Sequence, residues 1–496
     1  MPAKAENNAR QENVGALFQN YSRNDAFFDE MFEKDGTIRK HYIKLSNYLQ
    51  DFQIQDFENL NEYAKVSFFN QGITFNVYSE EGGTERIFPF DLFPRIIPNK
   101  EWIKIEQGVI QRNKALNLFI SDLYNEKKIL KDGIIPHELV FSSKYYNKYM
   151  SDFRPFGNVH VHIAGTDIIK HSDGEYYVLE DNLRCPSGVS YVLANRIAMK
   201  KTFPHLFFRY NIFPVNDYPM QLLRMMHSIA PPNVSNPTCV LLTPGMYNSA
   251  YYEHTFLAHQ MGIQLVEGRD LFVDKNFVYI KTIYGPERVD VIYTRVDEDF
   301  LDPLVFRKDS LLGIPGIFAV FRAGNVSIIN CPGNGVADDK AVYSYVPEII
   351  KYYLNEEPIL KNVPTYRCVN EKEMKYVLDN MEKMVVKPVD ESGGYGVLIG
   401  NRASQKEIED YKEKIKANPR KYIAQPIMDL SVLATYAEDT KQFEQRHIDL
   451  RVFCLMGKDM TYVSKGGLTR VALKRGSLIV NSSQGGGSKD TWAMEF

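Results

Sequence analysis

The segment from Tyr176 to Asn182 sets a carboxylate, Glu180, and a carboxamide, Asn182, two positions apart. In a strand such residues share one face and Asp181 takes the other. Neighbouring oxygen donors suit a hard cation such as Mg²⁺, which takes octahedral oxygen ligands and shares them with phosphates. Asp167 lies one hairpin upstream, with His171-Ser172-Asp173-Gly174 as the turn. That hairpin would bring Asp167 beside Glu180 as a third oxygen ligand. Taken alone, Glu-x-Asn is more often an edge strand with solvated charges, so the rest of the chain must decide.

A second group of residues has phosphate chemistry. Val385-Val386-Lys387-Pro388 reads as a buried strand ending in Lys, followed by the loop Ser392-Gly393-Gly394-Tyr395-Gly396. A Lys so placed reaches a nucleotide phosphate, and the glycines let backbone N–H groups close over phosphate oxygens. Gly-x-x-x-x-Gly-Lys-Ser is absent, so this is not a P-loop. One helix further on, Tyr422-Ile423-Ala424-Gln425-Pro426 would place Gln425 and strand-edge backbone groups against an adenine. Asp449 and Arg451 share a strand face, as an ion pair or, with Arg470, as guanidiniums for phosphate or acyl-phosphate oxygens. Lys340 opens a helix, where a cation opposes the dipole, and this placement points to a phosphate contact. Ser482 to Ser488 reads either as a flexible flap over a substrate site or as a linker.

These residues need elements to hold them. Apolar spacing predicts helix from Asp25 to about Leu60, then a hairpin over 73–90 turning at Glu81-Gly82-Gly83-Thr84, then a long helix over 101–131. The metal hairpin and a further helix occupy 159–199. Strands alternating with helices over about 236–330 predict a small parallel α/β unit, with Val289 to Arg295 as one strand. It has no Gly-x-Gly-x-x-Gly. The expected division is 1–70 for the tail and N-terminal helices, 71–235 for the metal-strand part, 236–335 for the α/β unit and 336–496 for the nucleotide part.

Net charge is −3, too small for a chain-wide field that would draw nucleic acid or an anionic membrane surface. The five cysteines are dispersed without a Cys-x-x-Cys pair, which argues against a zinc site or disulfide framework and for a reducing, cytoplasmic setting. No apolar run approaches the length of a membrane span and the N-terminus lacks a signal-peptide core, so neither membrane nor nucleic-acid partners are expected.

In combination the motifs resemble the ATP-grasp ligases: Asp449-x-Arg451, Lys387 with its glycine loop, and Asp167…Glu180-x-Asn182-x-x-x-Pro186-x-Gly188. Ordinary members run lysine and glycine loop first and metal strand last. Here the metal strand comes first, as in the circularly permuted ATP-grasp proteins related to glutathionylspermidine synthetase. Glu180 to Tyr191 and Asn334 to Lys340 are similar to hallmark stretches of circularly permuted ATP-grasp type 2, and the likeness covers roughly residues 70 to 496. It implies an α/β (α+β) fold with a small Rossmann-like unit of the kind that precedes the grasp. It also implies Mg²⁺ at Asp167, Glu180 and Asn182, and ATP at Lys340, Lys387, Gly393, Gly394, Gly396 and Gln425. The catalytic cations would be Arg184, Arg451 and Arg470. One departure is Gly165, where glutathionylspermidine synthetase has Arg two residues before its metal Asp, so Arg184 or Arg451 must supply that charge.

The implied activity joins a small-molecule or peptide carboxylate to an amine at the expense of ATP, through an acyl phosphate. Two alternatives stand beside it: a nucleotide-binding interaction protein without turnover, and a kinase-like phosphotransferase.

Overall fold

The computed structural model describes residues 15–77, 84–391, 396–478, 480–481 and 485–495. Its spine is the strand Gln442–Met456, whose middle pairs with Ile163–Lys170 on one side and Leu468–Val471 on the other. The sheet continues through Tyr176–Asn182 to Lys361–Asn362 at one edge, and through Gly487–Met494 to Phe90–Pro98 at the other. Val432–Ala437 and Thr461–Val463 complete nine strands.

Side-chain alternation divides this sheet into two faces. Ala164, Leu450, Val452 and Cys454 pack beneath the helix Asn99–Tyr124. Ile163, Phe453, Leu455 and Leu468 pack against Val189–Thr202 and Tyr218–Ser228. Asp167, Asp449 and Arg451 lie on this second face, beyond the reach of the covering helices, so the apolar pattern of each strand turns charged where the site begins. Asp181 goes to the first face as expected. Arg112 of the long helix grips it through Nε and Nη2 at 3.0 and 2.7 Å.

A second, antiparallel sheet holds Tyr366–Arg367, Tyr422–Pro426, Met384–Pro388 and Leu398–Ile399. Val386, Leu398 and Ala424 face a small core closed by the helices Glu371–Asp379 and Gln405–Ala417. Val385, Lys387, Ile399 and Gln425 therefore face the other way. Over 236–330 the strands Cys239–Leu242, Gln264–Val266, Val291–Thr294 and Ser327–Ile329 form a parallel sheet. An antiparallel meander over Leu271–Val289 is added to it.

Four expectations need correction, the first being the helix expected over 101–131, which ends at Tyr124 where Asp122 O accepts the N–H groups of Asn125 and Lys127. Residues 25–42 are not helical, although the helices Ile43–Leu49 and Ile54–Asn70 follow. Asp29 Oδ1 accepts the N–H groups of Met31 and Phe32, a local turn that competes with helix. Phe28 and Glu30 spend their backbone groups on Val432 instead. Val289 to Arg295 is not one strand, because Asp290 exchanges hydrogen bonds with the Thr238 backbone and separates Gly285–Val289 from Val291–Thr294. Gly487 and Ser488 begin the buried strand Gly487–Met494, so the expected flap cannot extend through them. Ser482 to Gln484, like Gly393, Gly394 and the hairpin turn at 81–83, lie outside the described residues.

The N-terminal segment is tied to the sheet by a buried ion pair. Glu30 accepts Arg95 Nε and Nη2 at 2.8 and 2.6 Å and Ser431 Oγ at 2.6 Å. Glu30→Ala strands the Arg95 cation and is expected to reduce unfolding free energy by about 3 kcal/mol, measured by urea denaturation. Glu30→Met with Arg95→Met should recover most of that loss. Equal stability of wild type and Glu30→Ala would show that the pair does not anchor the segment.

Candidate active site

Three neighbouring strands converge on one buried carboxylate. Asp167 is the register partner of both Glu180 and Arg451, and Asp449 is the partner of Arg470. Arg451 donates Nε and Nη2 to the two Asp167 oxygens at 2.6 and 2.8 Å, and Arg470 Nη2 adds a bond at 2.9 Å. Arg470 also grips Asp449 through Nε at 2.8 Å and through Nη2. Burial alone would raise the Asp167 carboxyl, but the two guanidiniums outweigh it and hold it well below the usual range. Asp449 goes the other way: burial raises it despite Arg470.

Glu180 is placed by a bulge. Asp167 pairs with Glu180, but Ile168 pairs with Val178, which leaves Leu179 as an extra residue. Leu179 and Glu180 consequently line the same cavity. The Glu180 carboxylate accepts no hydrogen bond among the described residues, and its one ion contact is Lys340 Nζ at 3.6 Å. Asn182 donates Nδ2 to Gly165 O at 3.2 Å, which turns its carbonyl oxygen outward.

That cavity, about 260 Å³, lies between the two sheets. Leu179, Ile169, Val385 and Ile399 give it apolar walls, and Asp167, Glu180, Arg470, Lys340 and Lys387 gather at its charged side. Gln425 donates to Thr365 Oγ1 at 3.0 Å, while its own buried carbonyl oxygen has no partner among the described residues. A base amino group is the donor such an orphan acceptor lacks. The Lys387 ammonium makes no hydrogen bond or ion pair among the described residues, and withdrawal from water depresses it to about 8 despite Glu180 nearby. Lys340 spans the halves: its N–H donates to Val389 O at 3.1 Å and its Nζ to Glu391 O at 2.6 Å. Gly396 sits at φ 65°, where a Cβ would fall 3.1 Å from Pro388.

The donor set fits a shared Mg²⁺. Glu180 and the Asn182 oxygen are uncommitted, and Mg²⁺ is usually held by one or two carboxylates with phosphates and water completing the shell. Asp167 accepts three hydrogen bonds from guanidiniums, two of them on Oδ2, which leaves one lone pair of Oδ1 for a metal. Among the described residues no three His, Cys, Asp or Glu side chains form a metal cage.

A second, polar cavity of about 440 Å³ adjoins the first, and Glu180, Arg470 and Asn481 line both. Arg184 lies here and not among the residues around the first cavity. Its Nε donates to Asp338 Oδ2 at 3.1 Å and its guanidinium lies 4.3 Å over the Tyr145 ring. Arg451 also reaches this cavity. A Cβ on Gly165 would fall 2.9 Å from Pro186 and 3.4 Å from the Arg451 stem, so the missing arginine leaves a space that Arg451 already crosses.

Sequence reasoning missed the residues that fix the loop after Asn182. Asp338 accepts Leu183 N–H at 2.6 Å, and Asn334 and Asn330 donate to Leu183 O at 2.6 and 2.7 Å. From the parallel α/β unit, Arg295 donates to Pro186 O at 2.8 Å, and Glu253 accepts the N–H groups of Gly188 and Ser190 at 2.7 and 3.1 Å. Position 338 lay within a recognised stretch; Asn330, Glu253 and Arg295 carried no local signal.

Known proteins resemble this chain in sequence and in fold. An uncharacterized protein of Synechocystis sp. is 51% identical over 95% of this chain and 97% of its own length. A Frankia alni protein provisionally named glutamate–cysteine ligase 2-3 is 38% identical over 94% of this chain, which spans 54% of that protein. A glutathione synthetase-like effector from Globodera pallida, in its apo form, superposes with a TM-score of 0.58 at 12% identity, covering 90% of this chain and 98% of its own, a likeness of fold. The model of circularly permuted ATP-grasp type 2 matches residues 94–472. That match spans well over half of the chain, and the chain belongs to the circularly permuted ATP-grasp type 2 family.

Proposed function

We propose that this protein is an ATP-dependent carboxylate–amine ligase that works through an acyl phosphate. The observation that carries the reading is the shared wall: a cavity suited to a nucleotide opens beside a larger polar cavity, and Glu180 and Arg470 border both. A phosphoryl donor and an acceptor are thereby held side by side, with the entropy of their encounter already lost on binding.

In this reading adenine lies along Val385, Ile399 and Gln425, and the phosphates run toward Lys387, Lys340 and Glu180. Glu180 and Asn182 hold Mg²⁺, which when bound neutralises phosphate charge. A carboxylate oxygen of the acid attacks the γ-phosphorus; the new O–P bond forms as the bond to the β,γ-bridging oxygen breaks, and ADP departs. Arg470 and Arg451 stabilise the charge on the transferring group, and Asp449 and Asp167 hold their guanidiniums in place. The amine nitrogen then attacks the acyl carbon, phosphate leaves with the C–O electron pair, and the amine proton leaves with it. Gly393, Gly394 and Gly396 belong to the loop proposed to close over the phosphates and exclude water. The name of the Frankia relative favours an amino-acid substrate.

Hydroxylamine tests the intermediate, because it captures an acyl phosphate as a hydroxamate. ADP formation should require a carboxylic acid and should yield hydroxamate with hydroxylamine. ADP without hydroxamate would favour the kinase-like reading, and no ADP with any acid the binding-protein reading. Glu180→Ala should lower ADP formation by about 100-fold or more without loss of fold; near-wild-type turnover would refute the metal assignment.

Lys387 gives a pH signature. Free, it loses its charge as pH rises through about 8; bound phosphates raise that value, so nucleotide binding takes up a proton just above pH 8. Affinity for a non-hydrolysable ATP analogue should therefore fall as pH rises above 8, with proton uptake seen by calorimetry in buffers of different ionisation enthalpy. Lys387→Met should flatten the profile and leave the nucleotide-free protein at least as stable. A wild-type profile in that variant would remove Lys387 from the phosphate site.

A further inference from the structure

The second cavity contains an opposite-charge pair that the phosphoryl chemistry does not use. Asp338 and Tyr145 fix the Arg184 guanidinium plane, yet neither terminal NH₂ group donates a hydrogen bond among the described residues. Asp297 stands beside it, with its side chain 63% exposed and its nearest oxygen 3.7 Å from Arg184 Nη1. That separation is too long for a hydrogen bond. The Asp297 carboxylate accepts none among the described residues, and it does not cap the helix Glu298–Leu301 that it precedes. Both groups thus balance each other in charge while keeping their hydrogen-bonding capacity for something else.

We propose that this pair reads a zwitterion: the α-carboxylate of an amino-acid substrate on the open edge of Arg184 and its ammonium on Asp297. The proposal rests on the ligase reading and names the substrate class for it. A purely anionic acid would set a carboxylate against Asp297, and a polyamine would set an ammonium against Arg184, so each loses at one member of the pair. A planar guanidinium with a free edge matches a carboxylate through two parallel hydrogen bonds. A further consequence follows from position. Arg184 and Asp297 line the second cavity but not the nucleotide cavity, whereas Glu180 and Arg470 line both. A carboxylate held at Arg184 is therefore not the one presented to the γ-phosphate. The substrate carries a second carboxylate, on its side chain or at the far end of a short peptide, and this one reaches the shared wall. The cavity volume of about 440 Å³ lies within the roughly 300–1,000 Å³ of ligand pockets and leaves room for such an extension toward Glu180 and Arg470.

The test is calorimetric titration of the full chain, first with Mg²⁺ and a non-hydrolysable ATP analogue, then with small probes. Glutamate is the zwitterion with a second carboxylate, glutarate lacks the ammonium, alanine lacks the second carboxylate, and putrescine is a dication. Glutamate should bind more tightly than the other three. Arg184→Met and Asp297→Asn should each weaken it by about tenfold or more, the loss expected for a hydrogen bond to a charged group. Asp297→Asn should leave glutarate unchanged or tighter, an outcome that a merely misfolded variant would not give. Binding of glutarate or putrescine as tight as that of glutamate, glutamate affinity unchanged in both variants, or no probe binding to the analogue-loaded protein would each overturn the proposal. Analogue binding is read before any probe is added, so failure of the nucleotide reading shows separately from failure of this one.

Discussion

A carboxylate held between two guanidiniums is the constraint on which this site depends. Asp167 is buried on the central sheet, and Arg451 and Arg470 occupy both of its oxygens. Burying three such groups is costly unless each is hydrogen-bonded. Here Asp449 takes the remaining reach of Arg470, and the Ser187 carbonyl accepts from Arg451 at 3.3 Å. The arrangement leaves the Arg470 guanidinium rigidly presented at the wall that the two cavities share, with Arg451 on the second cavity. A rigid charge needs little reorganisation as a phosphoryl group develops its own, and preorganisation of this kind supplies much of the catalysis in phosphoryl transfer.

The rest of the molecule keeps two sheets facing each other across that wall. Lys340 belongs to neither, yet it touches Val389 and Glu391 on one side and Glu180 on the other. Its neighbour Asp339 caps the helix start through Ala341 N–H at 2.9 Å and holds Arg420 at 2.7 Å, two residues before the strand Tyr422–Pro426. Asn334 and Asp338, a few residues earlier, fasten Leu183 beyond the metal strand. One short stretch therefore joins the strand Tyr176–Asn182 to the end of Met384–Pro388, and the two sequence hallmarks are locked to each other through Leu183. The parallel α/β unit contributes Arg295 and Glu253 to the same loop, which ties that unit to the second cavity.

Where sequence was informative, a strand periodicity of two was responsible. Asp181 opposite Glu180 and Asn182 follows from alternation alone, and the structure places Asp181 against Arg112 and Glu180 and Asn182 on one cavity. Pairings across strands were not legible. Asp449 and Arg451 are neighbours on one face, but each bonds a partner brought by another strand, because register rather than spacing decides which charges meet. The extra residue at Leu179 left no local mark. Residues 25–42 carry apolar residues at helical spacing, yet a turn at Asp29 and pairing with Val432 prevail, since tertiary contacts exceed weak helical preference. Asn330 binds the backbone of His162, Ile163 and Leu183 from far along the chain, which no local pattern reveals.

The central claim is that two segments far apart in sequence form one nucleotide site. A structure of the full chain with Mg²⁺ and a non-hydrolysable ATP analogue tests it most directly. The account predicts adenine against Gln425, with its amino group on the orphan carbonyl oxygen, and phosphates between Lys387, Lys340 and Glu180. A nucleotide bound within residues 236–330, or one that touches Lys387 without approaching Glu180, would contradict it.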